Sequence, residues 1–155
     1  MGNKTANEAL AYAKANFQTA LKMIEALQEI SEQTGDRLIG PKNQDGKTIT
    51  QYLFATAIIS QAYMTLRKGK LKTQIAYNEY CGLDHELSER LFKEKTSIGR
   101  LVLKLELAMD YVTSANLPDP HASDGINVSR IAEDIAENTD KITDIIATID
   151  KILES

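Results

Sequence analysis

Four stretches of the chain repeat apolar residues at alternating intervals of three and four, the period of a helix with one buried stripe. In the first, Leu10, Ala13, Phe17, Ala20, Ile24 and Leu27 keep that spacing, and Met23 and Ile30 widen it. Thr5-Ala6-Asn7-Glu8 reads as a capping box at its start, and Gly35 as a left-handed stop, which predicts a helix over 5–34. The second stretch opens on another capping-box match, Thr48-Ile49-Thr50-Gln51, and carries Tyr52, Leu53, Phe54, Ile58, Ile59, Ala62, Tyr63 and Leu66. It is apolar around most of its circumference, so burial on most sides is expected. Arg67-Lys68-Gly69-Lys70 interrupts it before Leu71, Ile75 and Tyr80 resume, which predicts a helix over 48–81, bent or split near Gly69.

The third stretch, 84–115, has Asp84 as its N-cap and a stripe of Leu87, Leu91, Ile98, Leu101, Val102, Leu105, Met109 and Val112. Leu103, Leu107 and Tyr111 give it a second apolar face, expected to be buried as well. The fourth, 127–154, is capped by Asn127 or Asp124 and repeats Val128, Ile131, Ile135, Asn138, Ile142, Ile145, Ile149 and Ile152 as a regular heptad with one polar break. Four helices of matched length, joined mostly by links too short to cross the molecule, predict an all-α fold. The architecture is an up-down-up-down four-helix bundle of long antiparallel helices, one domain over 1–155. The links at 35–47 and 116–126 are loops by their Gly, Pro, Asn and Asp content, and long loops are often functional.

Composition agrees with a compact helical protein. Apolar residues make up 43% and charged residues 26%, and 8 glycines and 3 prolines leave few turns. The most apolar run, Leu53 to Ile59, falls far short of the ~20 residues that cross a bilayer, so no membrane partner is expected. One cysteine, Cys81, cannot form an intrachain disulfide, and Met1 to Ala6 lacks the apolar region of a signal peptide. Ala6 also stands where a myristoylation signal needs Ser or Thr. A cytoplasmic protein is the expectation.

Catalytic inventories fail on the residues present. His85 and His121 lie in or beside loops, and with Cys81 they do not make a zinc set, so neither metal nor cofactor is expected. Cys81 at a helix C-terminus would have its thiol pKa raised, the wrong direction for a nucleophile. Glu29/Glu32, Glu86/Glu89 and Glu137/Asp140 have the spacing of the magnesium-binding pairs of all-α nucleotide pyrophosphohydrolases. The segments between them do not fit that family's pattern. No catalytic residue is assigned, and a non-enzymatic protein is expected.

Charge is unevenly distributed. Residues 35–83 sum to +4 and residues 117–155 to −6. Arg67, Lys68, Lys70 and Lys72 make a candidate anion-binding turn, and Glu133, Asp134, Glu137, Asp140 and Asp144 a candidate acidic docking face. The first reading is therefore a protein-interaction module, an inhibitor or adaptor that meets a basic partner surface through its acidic last helix. A nucleic-acid-associated role through the basic turn is the alternative. Residues 74–84 before the third helix resemble a helix-turn-helix, but Asn78 stands where a small residue belongs and the pI is about 5.2. A second alternative is a ligand-sensing bundle with Tyr52, Tyr63 and Tyr111 around a pocket. The Ile-rich last helix, with Asn138 as a register-fixing polar residue, is also suited to pairing with a second copy.

Overall fold

A computed structural model describes residues 4–42, 45–80, 85–116 and 125–154. It contains five helices: α1 (Lys4–Thr34), α2 (Gly46–Tyr80), α3 (His85–Asn116), α4 (Val128–Ala136) and α5 (Thr139–Glu154). The first three run 31, 35 and 32 residues, roughly 47–53 Å each at 1.5 Å per residue. α1 packs on α2, α2 on α3, α3 on α5 and α4, and these last two return to α1. This closed ring is the four-helix bundle the periodicity predicts, with α4 and α5 sharing the fourth position. α1 and α3 are one diagonal; α2 and the α4–α5 pair are the other. Tyr12 meets Lys72 while Gln33 meets Gln51, and Tyr77 meets Phe92 while Gln74 meets Lys95, the registers of antiparallel neighbours.

The stripes of α1 and of the last two helices are buried as their spacing requires. Leu10, Phe17, Ile24 and Leu27 face Ile135, Ile142, Ile145 and Ile149 within one core. Each such side chain contributes about 1.5–3 kcal/mol on leaving water. Because the whole Ile row is sealed inside the molecule, it offers no seam for a second copy.

Three local expectations are corrected, and of the bend or split expected near Gly69 the split is absent, since α2 continues through that residue. The missing side chain leaves room for Phe17, whose Cε1 would lie 2.5 Å from a Cβ built there. The fourth helix is broken instead. Asn138, the polar member of its heptad, is only half-buried and follows the end of α4 rather than sitting in a seam. Its amide bonds Ile135 O at 3.0 Å, an i−3 contact that tightens the last turn, and the Thr139 hydroxyl donates to Ala136 O. The cap of α2 is Asp45, not Thr48. Its carboxylate accepts the Lys47 amide at 3.2 Å and the Thr48 hydroxyl at 2.8 Å. α1 already includes Thr5 at its second position, so that capping box is not its boundary. The Asp84 cap lies outside the described residues, as do Cys81 and His121. Asn127 does cap α4, accepting the Arg130 amide at 3.1 Å, and Gly35 ends α1 at φ +57°.

One long-range contact joins the two loop regions at the end of the bundle. Ile39 and Ile126 exchange both backbone hydrogen bonds, at 3.0 and 2.8 Å, and both side chains are buried. Gly125 permits it: a Cβ there would stand 2.6 Å from the Ile39 carbonyl oxygen.

Candidate interaction surface

The most informative surface lies on the outside of α2 and α3. On α2, Leu53, Met64 and Leu71 recur at eleven and seven residues, one face of a helix, opposite the buried face of Tyr52, Ala55, Ile59, Ala62 and Leu66. On α3, Phe92, Leu103 and Leu107 recur at eleven and four residues, again one face, opposite Leu91, Ile98, Leu101 and Leu105. These six, with Phe54 and Tyr111, are 45–62% exposed. The burial on most sides expected for α2 is therefore corrected, as is the burial of the second face of α3. In a ring of four, each helix has one side turned toward the centre, and additional apolar positions are left facing water.

Between the two rows runs a groove of about 320 Å³ lined by Arg67, Lys70, Leu71 and Gln74 from α2 and Lys95 and Val102 from α3. The Lys95 ammonium donates to Gln74 Oε1 and sits 4.6 Å over the Phe92 ring. Arg67 donates to the Tyr63 hydroxyl at 3.3 Å and covers that ring. Gly99 leaves space for the Lys70 ammonium, which a Cβ there would approach to 3.1 Å. Burial, and then the neighbouring Lys70 charge, holds the Lys95 ammonium below the ordinary lysine value.

The four cations of the predicted anion-binding turn do not stay together. Arg67 and Lys70 enter this groove, Lys68 is exposed, and Lys72 turns toward α1, 5.2 Å from the Tyr12 ring centre. Lys95, which lies outside the predicted set, joins the two that remain. No periodicity marks it; only the antiparallel register of α2 and α3 brings position 95 opposite position 74.

The acidic candidates are all exposed. Glu133, Asp134, Glu137, Asp140 and Asp144 occupy α4, α5 and the break between them, and none forms an ion pair with a described cation. Residues 128–154 hold seven carboxylates against three cations, while α2 holds five cations against Glu79 alone. These two charged elements are diagonal in the ring, so the basic turn does not neutralise the acidic helix.

Other candidates are dispersed. Tyr52 is buried in the core, Tyr63 half-buried, and Tyr111 exposed beside a notch of about 290 Å³ with Leu38, Ile126 and Arg130, so the three share no pocket. A wider groove of about 570 Å³ runs between Ile30 and Gln33 of α1 and Gln51, Phe54 and Ile58 of α2. His85 is exposed and lies 3.3 Å from Glu89. Glu29/Glu32 and Glu86/Glu89 are exposed on α1 and α3, across the diagonal from one another. Among the described residues no group of three or more His, Cys, Asp or Glu is placed to hold a metal ion. None of their helices is long and apolar enough to cross a membrane. No protein-family model, curated protein or solved structure matches this chain.

Proposed function

We propose that this protein is a non-enzymatic interaction module that docks a partner protein on the outer face of α2 and α3. The observation that carries the reading is the pair of outward apolar rows, Leu53, Met64 and Leu71 on α2 and Phe92, Leu103 and Leu107 on α3. Scattered exposed apolar residues are ordinary, but rows at helical spacing on two neighbouring helices have the form of a helix-binding surface. Covering six half-exposed side chains would contribute on the order of 5 kcal/mol before association costs. Arg67, Lys70 and Lys95 lie between these rows, which favours an acidic partner and opposes self-pairing of two such faces.

A second reading has its own observation. The five exposed, unpaired carboxylates on α4 and α5 fit a basic partner surface, and such a contact would be steered by charge. Affinity capture from the source cell separates the two. Partners lost on Leu71→Asp and Leu103→Asp, but kept on a Glu133→Lys, Glu137→Lys, Asp140→Lys variant, assign docking to α2 and α3. The reverse pattern assigns it to the acidic face. Capture unchanged by both variants sinks both readings.

A further inference from the structure

We infer that the α2/α3 groove recognises a phosphorylated side chain on the partner, a phosphoserine or phosphothreonine set between apolar residues. This deepens the docking reading above and rests on it. Three cations, Arg67, Lys70 and Lys95, line one small groove, and no carboxylate lines it. None of the three pairs with a described acidic group elsewhere. Two of them are held in place by neutral neighbours: Lys95 by Gln74 and the Phe92 ring, Arg67 by the Tyr63 hydroxyl and ring.

Like charges brought together without a counter-ion are an unfavourable arrangement that an anion relieves. A lone carboxylate brings one charge and two oxygens to three donors. A phosphate monoester brings nearly two charges and three strong acceptor oxygens, which matches the set. The walls supply the rest of the recognition. Leu71 and Val102 line the groove with the cations, and Leu103 and Met64 are exposed nearby along the same two rows, placed for apolar residues flanking the phosphate.

The test uses arrays of immobilised nonapeptides centred on phosphoserine or phosphothreonine. Matched arrays carry the unphosphorylated residue or Glu at that position. The expected result is binding that depends on the phosphate by about tenfold or more. It falls about as far on Lys70→Gln or Lys95→Gln, and stays within about twofold on Lys68→Gln and Lys72→Gln, whose charges lie outside the groove. Lys68 is exposed and Lys70, Lys72 and Lys95 are half-buried, and circular dichroism verifies the fold of each variant. The inference is overturned by equal binding to the Glu arrays, or by equal weakening in all four variants, which would mark a diffuse potential. Tighter binding of a short single-stranded RNA through the same two lysines also overturns it. Partners lost on Leu71→Asp yet retained after phosphatase treatment of the lysate sink this inference alone. Partners retained by both Leu71→Asp and Leu103→Asp sink the docking reading beneath it.

Discussion

Phe17 and Gly69 form a lock whose two halves lie 52 positions apart in the chain. Phe17 is fully buried, and its ring fills the space where a side chain on α2 would begin. Gly69→Ala would gain about 1 kcal/mol of helix propensity, but overpacking against a buried ring costs about 1–3 kcal/mol. The expected outcome is a net loss of stability in denaturant titration, relieved when Phe17→Leu is added to the same chain. Glu94 makes a second prediction at this scale. Burial raises its carboxyl above the ordinary glutamate value, aided by Asp144 and opposed by the Thr148 hydroxyl, Arg90 and Lys151. A folded-state value above the unfolded one means the native state holds the proton more tightly. The corresponding stability is present in acid and is lost as pH rises through the raised value. Glu94→Gln is therefore expected to raise the thermal midpoint at about pH 7, with the difference closing at about pH 4, as thermal melts at the two pH values would record.

At the scale of elements, the helices and their joints behave differently. Stripes of six to eight apolar residues made α1, α3 and the last two helices readable, because burial of a whole face outweighs any single propensity. Ends and breaks depend on single hydrogen bonds worth about 1 kcal/mol, which periodicity does not encode: Asp45 rather than Thr48 caps α2, and the fourth helix breaks at Asn138. The Ile39–Ile126 bridge belongs to the same class. It ties two loops far apart in sequence, and no local pattern announces it. Gly125→Ala would push a methyl into the Ile39 carbonyl, backbone against backbone, with no flexible side chain to yield. We expect hydrogen-exchange protection to fall at the Ile39 and Ile126 amides and stability to drop by about 2 kcal/mol. The amides in the middle of α1 should keep their protection.

For the molecule as a whole, charge and stability are separated. Among the described residues only Lys14–Asp150, at 2.6 Å, is an ion pair between helices; His85–Glu89 and Arg90–Glu94 lie within one turn of α3. Partly exposed pairs of this kind contribute about 0–1 kcal/mol each, against an apolar core of 28 buried residues. The unfolding midpoint should therefore move little between low and high salt, and Lys14→Met should cost less than about 1 kcal/mol. Partner binding should respond strongly, because the cations of the α2/α3 groove and the carboxylates of Glu133, Asp134, Glu137, Asp140 and Asp144 form no ion pair among the described residues. A titration of both properties across the same salt range checks this, and a midpoint that falls in parallel with binding would refute it.

The chain alone determined the helices, their antiparallel order and most of the core, since each follows from apolar residues recurring at a period that local geometry sets. It also showed the acidic row and the basic turn, because both are continuous in sequence. Tertiary structure alone decided which charges act together and which apolar residues stay in water. Lys95 joins Arg67 and Lys70 only through the register of two helices, and Lys72 leaves them because its position on α2 faces α1. The apolar patterning of α2 and the second apolar face of α3 point Leu71 and Leu103 toward burial, yet a helix in a ring of four buries one face, and theirs is the other. Periodicity is a property of one helix, whereas a surface is made where two helices meet.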